Sequence, residues 1–353
     1  MFDHVYYVPI LKGKEGEYRS LAELNPNIRS KIIPLIEIPA IGKYETKNLD
    51  SHLKKAVEKI YNSWGTGNFL FLDLSLLSSE QKMKDNTSPY LYILKNILDK
   101  RIKIIPVAGL NHTELYNEYL RNCIKTQNYG LCLRVGNHDF ADLKNKIDIV
   151  INDLNLAPKN IDIIIDFRDI FPNQTETIST AAKNVINTFP YLHEWRSFTV
   201  AATAFPLNMS RISYGITSLP RSEWKLWRNL VTDNSVKRIP SYGDYSIAHP
   251  DIVEIDPRIM DRSANIRYTT EDSWLILKGR SVKKIGSGQY SALCQTLINK
   301  PEYSGADFSW GDNYINECAE KRVGMGNATT WRIVGNSHHF AFIVNQLSSF
   351  SLS

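Results

Sequence analysis

Eight apolar runs of strand length recur along the 353-residue chain, and they constrain its fold more than any other feature. Most of them are apolar at consecutive positions rather than alternate ones, as in strands covered on both faces. The runs are HVYYVPIL from His4, IIPLIEIP from Ile32, FLFLDLSLL from Phe69, KIIPVAGL from Lys103, GLCLRVG from Gly130, IDIIIDFRDI from Ile161, FTVAATAF from Phe198 and IPSYGDYSI from Ile239. Helical-period stretches such as NLDSHLKKAVEKIYNSW lie between them. This pattern predicts an α/β fold, a (β/α)8 TIM-like barrel.

A doubly wound open sheet is the alternative fold for such a chain. It needs a glycine-rich first turn with the pattern GxGxxG. The first run is followed instead by GKEG, from Gly13 to Gly16, which does not match. The sequence therefore favours the barrel.

The chain after the eighth run is longer than one crossover needs. NSHHFAFIVNQL predicts the closing helix, with Asn336 or Ser337 as its N-cap. Before it, ANIRYTTEDSWLILKGR predicts a β-hairpin, and SGQYSALCQTLIN and GDNYINECAEK predict two short helices. We expect barrel strands 1–8 and their crossover helices over residues 1–250, an insertion after strand 8 over 251–330, and the closing helix over 331–353.

The net charge of +5 is concentrated in the predicted insertion. From Pro257 to Lys284 the basic residues are Arg258, Arg262, Arg267, Lys278, Arg280, Lys283 and Lys284, against the acidic Asp261, Glu271 and Asp272. An insertion after a barrel strand lies over the C-terminal mouth, where barrel enzymes keep their sites. We therefore expect the basic stretch above the mouth, either facing a ligand or as a solvated face.

Cysteine usage and hydropathy favour a cytoplasmic protein without a membrane partner. Cys123, Cys132, Cys294 and Cys318 form no CxxC pair, which predicts reduced, structural thiols. The first residues, MFDHVYYVPI, lack the basic region of a signal peptide. No run approaches the 18 or so consecutive apolar residues of a membrane span.

Polar side chains follow or end most of the predicted barrel strands. They are Lys12 and Lys14 after strand 1, Glu37 on strand 2, Asp73 on strand 3, Arg134 on strand 5, Asp166, Arg168 and Asp169 on strand 6, and Asp244 and Tyr245 on strand 8. A carboxylate inside an apolar run is costly to bury unless it is paired or binds a metal. These side chains therefore need partners at the mouth.

Two interpretations of this polar set stay open. A ring of salt bridges would fix the strand register without any ligand. Alternatively, Glu37, Asp73 and Asp166 are catalytic residues that hold Mg²⁺ or Mn²⁺. In that scheme the ligand-binding residues of the mouth are Lys12, Lys14, Arg134, Arg168, Asp244 and Tyr245. A nucleophilic Lys12 of the Schiff-base kind is a weaker alternative, because nothing in the sequence lowers its pKa.

The pair His338 and His339 stands at the start of the predicted closing helix. Backbone N–H groups at a helix N-terminus favour an anion. With Arg332 and Ser337, the imidazoles would form a phosphate corner after strand 8, and one would act as general acid or base. Adjacent residues on a helix point in different directions, so at most one imidazole is expected to face the mouth.

The predicted hairpin interleaves cations with aromatic residues. Arg267, Tyr268, Trp274, Lys278 and Arg280 would suit nucleotide bases and phosphates by stacking and charge, and Arg280 would join the phosphate clamp. The same residues would equally suit a cross-strand aromatic pair. The tryptophans of RSEWKLWRNL stand three apart and are expected to be packing residues.

The stretches YVPILKGKEGEY, PLIEIP, YGDYSIAHP, IRYTTEDSWLILKGR and TTWRIVGNSHHFAFIV together resemble the beta family proteins of bacteria and phages. The matching stretches run from the first strand to the last helix. The resemblance implies a role in phage–host conflict, because the family occurs in mobile elements and defence-like gene neighbourhoods. It implies no catalytic residues.

The residues and the resemblance together predict an antiviral-defence component. Its mouth would bind a phosphorylated ligand, either nucleotide or nucleic acid, and as a metal-dependent phosphodiesterase or nuclease-like hydrolase it would cleave that ligand. The alternative is a non-enzymatic sensor subunit that uses the same face to bind a nucleic acid or a partner protein in a defence complex. A third interpretation is a structural protein with an ion-paired mouth and no ligand.

Overall fold

The computed structural model describes residues 6–44, 48–253, 256 and 261–350. Eight parallel strands form a closed barrel, which confirms the predicted fold. They are β1 (Tyr7–Leu11), β2 (Leu35–Glu37), β3 (Leu70–Asp73), β4 (Ile104–Ala108), β5 (Leu131–Gly136), β6 (Ile161–Asp169), β7 (Ser197–Thr203) and, as the eighth barrel strand, β9 (Ser241–Asp244). The start of the first apolar run, at His4, lies outside the described residues. β9 pairs with both β7 and β1 and so closes the barrel.

Helices pack around the barrel between its strands. They are α1 (Glu15–Ala22), α2 (Pro26–Arg29), α3 (Leu49–Trp64), α4 (Pro89–Asp99), α5 (Glu114–Gln127), α6 (Leu143–Asp153), α7 (Thr175–Thr188) and α8 (Ser222–Thr232). Side-chain caps begin several of them, as where the Asn48 side chain accepts from the Ser51 N–H at 2.9 Å. Trp224 and Trp227 of α8 are buried and stack at 5.0 Å between ring centroids, which confirms them as packing residues.

A three-stranded antiparallel sheet lies outside the barrel. The predicted hairpin is present as β10 (Ser263–Thr269) and β11 (Ser273–Ser281). The third strand, β8 (Gly215–Pro220), precedes α8 in the chain and pairs with β11. The sequence analysis did not predict β8, whose short GITSLP segment carries little apolar signal.

Four further helices follow the hairpin. They are α9 (Val282–Ile285), α10 (Gln289–Ile298), α11 (Trp310–Ala319) and α12 (Ala328–Ser349). α10 and α11 are the two predicted short helices. They pack with Ala264, Ile266 and Tyr268 of β10 into a second hydrophobic core, here called the insertion core. The larger core lies between the barrel and its surrounding helices.

The last helix begins earlier than predicted and joins the two cores. Asn327 caps α12, because its side chain accepts from the N–H groups of Thr329 and Thr330. The prediction of Asn336 or Ser337 as N-cap was therefore wrong. Trp331 and Val334 pack in the insertion core, whereas the helix from Phe340 onward packs on the barrel. Because apolar partners surround α12 on several sides, its sequence shows no single apolar face to mark its start.

The four cysteines are free thiols, as predicted, and all four are buried: Cys123, Cys132, Cys294 and Cys318. Burial raises the pKa of Cys123 to about 12, so this thiol stays protonated and unreactive at neutral pH. Within the described residues, no helix is both long enough and apolar enough to cross a membrane.

Candidate ligand site at the barrel mouth

Six buried or nearly buried side chains meet at the carboxyl ends of the barrel strands. This mouth cluster consists of Lys12, Glu37, Asp73, Arg134, Asp166 and Tyr245. The parallel strands bring their C-terminal ends to one edge, which is why residues from distant parts of the chain meet there. All six were predicted from the strand ends.

Arg134 is the centre of the mouth cluster. Its Nη1 donates to Glu37 Oε1 at 2.6 Å and to Asp73 Oδ2 at 2.8 Å. Its Nε and Nη2 both donate to Asp166 Oδ2, at 3.0 and 2.7 Å. One guanidinium thus connects carboxylates from three barrel strands, with the charge-assisted geometry that suits arginine.

Lys12 and Tyr245 complete the cluster. Lys12 Nζ forms an ion pair with Glu37 Oε2 and lies 5.2 Å from the centre of the Tyr245 ring. The Tyr245 hydroxyl donates to Asp166 Oδ2 at 2.5 Å and accepts from Arg134 Nη2 at 2.8 Å. Every member therefore contacts an oppositely charged or hydrogen-bonding neighbour.

The protonation of the cluster follows from these contacts. Burial opposes the charge of Asp166, but the Arg134 guanidinium and the Tyr245 hydroxyl outweigh it and lower the pKa of Asp166. Burial likewise opposes the charge of Arg134, and Tyr245 and the three carboxylates raise its pKa well above the usual value. Three carboxylates and two cations leave the cluster with a formal charge of −1 at neutral pH.

A cavity of about 720 Å³ opens above the mouth cluster. Its floor includes Lys12 and the four charged residues Glu37, Asp73, Arg134 and Asp166. Its walls come from the loops after β3, β4 and β5, from the end of β6 and from the segment after β9, with lining residues such as Ser75, His112, Asp139, Arg168 and Asp251. A cavity of this volume is large enough for a ligand of nucleotide size.

The carboxylates of the mouth cluster do not leave an open position for a metal ion. Glu37, Asp73 and Asp166 all accept from the Arg134 guanidinium, which takes the place that a shared cation would need. In the part of the chain that the structure describes, no group of three or more His, Cys, Asp or Glu side chains is arranged to hold a metal. Binding of Mg²⁺ or Mn²⁺ stays a prediction, and it requires Arg134 to move.

The two histidines lie inside the protein, away from any helix N-terminus. His338 and His339 are both 0% exposed, in the interior of α12. His338 contacts Asp312 and the Thr269 carbonyl, and His339 contacts Asp244 and the Thr269 hydroxyl. The expectation of a phosphate corner at the start of this helix was therefore wrong.

Asp244 is also buried and has its hydrogen bonds satisfied. It accepts from the hydroxyls of Tyr7 and Tyr242, at 2.5 and 2.9 Å, and from the Ser246 N–H at 2.8 Å. Burial opposes its charge, but His339 and the Tyr7 hydroxyl lower the pKa of Asp244. At 0% exposure, Asp244 ties the barrel to α12 and does not face the cavity.

The hairpin exposes fewer charged side chains than its sequence indicates, and its described residues do not line the cavity. Tyr268 and Trp274 are 0% exposed, and Tyr268 stacks on His338 with 3.8 Å between ring centroids. Lys278 is buried, with its Nζ donating to the carbonyls of Met209 and Ile212 at 2.7 Å. The hairpin therefore contributes fewer exposed cations than the sequence analysis expected over the mouth. Arg280, Lys283 and Lys284 are exposed, and Arg258 lies outside the described residues.

The sequence analysis missed several residues of the cavity wall. His112 stacks on Tyr116 at 4.3 Å between ring centroids, and its Nε2 accepts from the Gly109 N–H at 2.6 Å. Burial lowers the pKa of His112, so its ring is neutral at neutral pH, with the proton on Nδ1. Asp139 accepts from the Gly136 N–H at 2.9 Å. Both residues follow barrel strands within a few positions, which is the signal that could have found them.

Comparison with known proteins places this architecture in a family. The family model described as Beta protein matches residues 7–345, from the first barrel strand into the last helix. The chain belongs to the Beta protein family. Protein beta of Enterobacteria phage P4 is 24% identical over 363 residues, covering 96% of this chain and 92% of that protein. A crystal structure of triosephosphate isomerase from Bartonella henselae matches 68% of this chain and 92% of its own, with 12% identity and a TM-score of 0.32.

Proposed function

We propose that the mouth cavity of this Beta protein family member binds a phosphorylated ligand of nucleotide size. The observation that carries the proposal is the cavity of about 720 Å³ above a floor of charged residues fixed by Arg134. A pocket with few, rigidly placed polar groups is the usual form of a small-molecule site.

The floor suits the part of the ligand that donates hydrogen bonds. The cations Arg134 and Lys12 are already paired with carboxylates, and the cluster as a whole is negative. A phosphate placed directly on the floor would meet three carboxylates and lose more than it gains. Ribose hydroxyls or base amino groups would instead find acceptors there.

The phosphate fits better at the rim, where Arg168 lies. Its side chain is 50% exposed and pairs with Asp251, which is 56% exposed. Its backbone is in the left-handed region, at φ +56°, and its N–H donates to Asp166 Oδ1 at 2.8 Å, which ties the rim to the floor. An exposed ion pair contributes little, so a phosphate can replace Asp251 at small cost.

The test is calorimetric titration of the protein with mononucleotides, comparing wild type with Arg168→Gln. We expect the variant to bind about tenfold more weakly, because a charge-assisted hydrogen bond contributes of the order of 1–3 kcal/mol. Arg121→Gln is the matched control, since Arg121 also pairs with exposed carboxylates but lies outside the cavity lining. Equal affinity of wild type and Arg168→Gln, or no binding by wild type, contradicts the proposal.

The same titration samples, followed by mass spectrometry, distinguish binding from turnover. Intact nucleotide after incubation supports a sensor, and cleaved nucleotide supports a hydrolase. We also propose that the binding serves phage–host conflict, supported by the similarity to a protein of phage P4. Phage plating on cells that carry wild type or Arg168→Gln tests this role, which predicts a difference between the two strains.

A further inference from the structure

Two arginines outside the cavity lining converge on one backbone oxygen. Arg267 of β10 donates from Nη1 to the Ile247 carbonyl at 2.8 Å, and Arg332 of α12 donates from Nη1 to the same oxygen at 3.4 Å. Arg267 also lies 5.0 Å from the centre of the Phe205 ring. The two guanidiniums are therefore held close together although they carry like charges.

Close packing at two glycines holds these arginines in place. A Cβ on Gly16 would lie 2.7 Å from the Cβ and Cγ of Arg332, so the first turn of α1 packs directly on that side chain. A Cβ on Gly335 would lie 3.1 Å from the Arg267 carbonyl oxygen, so β10 packs directly on α12. The packing of α1, β10 and α12 therefore holds Arg267 and Arg332 close together.

The cluster has more cations than nearby carboxylates. Among the residues that the structure describes, neither Arg267 nor Arg332 forms an ion pair. Lys14 stands two residues before Gly16, which packs on Arg332, and so adds a third cation to the same neighbourhood. Glu17 is an acid of this neighbourhood, and its Oε2 accepts from the Lys14 N–H at 3.0 Å. Burial raises the pKa of Glu17 against the effect of these neighbours. One carboxylate balances only one of the three cations.

Burial acts against the charged forms of both arginines. Burial and the neighbouring Arg332 lower the pKa of Arg267, and burial likewise lowers that of Arg332. Partly buried cations without a counter-charge are costly to keep. Arg267 and Arg332 are half-buried and Lys14 is exposed, so the site is open to solvent on the Lys14 side.

We infer that Lys14, Arg267 and Arg332 form an oxyanion site that binds a phosphoryl group. A phosphate would supply the missing negative charge, and its oxygens would accept from the guanidinium N–H groups that do not face Ile247. The site is separate from the mouth cavity and does not depend on the proposed function. The phosphate belongs either to a mononucleotide or to a nucleic-acid backbone.

The experiment is titration of the full-length protein with inorganic phosphate at constant ionic strength, followed by calorimetry and by thermal unfolding. We expect saturable binding by wild type and about tenfold weaker binding by Lys14→Gln and by Arg332→Gln. The exposed Lys283→Gln and Arg211→Gln are matched controls and should bind as wild type does. Constant ionic strength ensures that a change in melting temperature does not come from general screening of charges.

Parallel titrations identify the source of the phosphate. A mononucleotide that binds more tightly than inorganic phosphate, and more weakly to Arg332→Gln, indicates a free nucleotide. A short single-stranded oligonucleotide that behaves in this way indicates nucleic acid. Only phosphate binding that Lys14→Gln and Arg332→Gln weaken is assigned to this cluster, which separates it from any phosphate bound at Arg168 in the cavity. If Arg332→Gln unfolds, Arg332→Lys and the exposed Lys14→Gln still test whether this cluster binds phosphate. Wild type without saturable phosphate binding, or a folded Lys14→Gln that binds phosphate normally, would overturn the inference.

Discussion

His338 and His339 are neighbours in α12, yet they bind carboxylates in different parts of the molecule. His338 Nδ1 lies 2.9 Å from Asp312 Oδ2 on α11, in the insertion core. His339 Nε2 lies 2.9 Å from Asp244 Oδ2 on the eighth barrel strand. Because adjacent residues on a helix point in different directions, one dipeptide fastens both parts of the fold to the same helix.

Removal of the His338–Asp312 contact should destabilise the protein strongly. Both residues are 0% exposed, so either single change, His338→Gln or Asp312→Asn, leaves a buried polar group without its partner. We expect each to lower the free energy of unfolding by about 3 kcal/mol, and the double variant to cost much less than their sum. Urea unfolding measures all three. The exposed pair Lys225–Glu176 is the control, with changes within about 0.5 kcal/mol.

The mouth cluster should depend on Arg134 more than on any metal. Arg134→Gln leaves Glu37, Asp73 and Asp166 close together without their shared cation, and we expect a loss of about 3–5 kcal/mol. Mn²⁺ should raise the melting temperature of this variant but not that of wild type. In wild type the Arg134 guanidinium fills the place between the three carboxylates where the metal would bind. Thermal unfolding with Mn²⁺ and with a chelator is the measurement. A chelator-sensitive melting temperature in wild type would show that Arg134 moves and that the metal prediction is right.

Stability should fall as the pH rises through neutrality, because of Glu223. Burial raises the pKa of this carboxyl to about 7 although Arg221 partly opposes the shift, and the nearby Asp244 raises it further. The folded state therefore holds the proton more tightly than the unfolded state, whose Glu223 titrates near 4.5. The contribution is fully present below about pH 4.5 and is lost as the pH rises through about 7, a difference of roughly 3 kcal/mol.

Glu223→Gln tests this pH dependence, because an amide does not titrate. Urea unfolding at several pH values between 5 and 8 should show a smaller decline for the variant than for wild type. The lowered pKa of Asp244 acts in the opposite direction, but only under acid conditions, below its usual value of 3.8. Identical pH profiles for the two proteins would contradict the assignment.

The contact between α11 and α12 should not tolerate a methyl group at Gly311. A Cβ on Gly311 would lie 2.2 Å from the Val334 carbonyl oxygen, and backbone cannot move aside as a side chain can. We expect Gly311→Ala to lower the free energy of unfolding by about 2 kcal/mol or more. At Gly288 a Cβ would meet nothing within 4 Å, so Gly288→Ala is the matched control and should leave stability nearly unchanged.

The sequence by itself determined the barrel and the location of its polar mouth. Buried parallel strands need consecutive apolar residues, and this local pattern is visible without any knowledge of tertiary contacts. The polar residues at the strand ends, among them Glu37, Asp73 and Asp166, stand out in the same way because each interrupts an apolar run. The mouth cluster followed from these two patterns together.

Only the tertiary structure decided which partners those side chains take. Arg134 lies 97 residues from Glu37 in the chain, and nothing local distinguishes a guanidinium from a metal ion as the partner of a carboxylate. The same limit explains the wrong prediction for His338 and His339. Because α12 is buried between two cores, its sequence has no single apolar stripe, and the start of the helix cannot be read from it. Pairing and burial depend on which elements meet in space, and that is set by the packing of the whole chain rather than by any one segment.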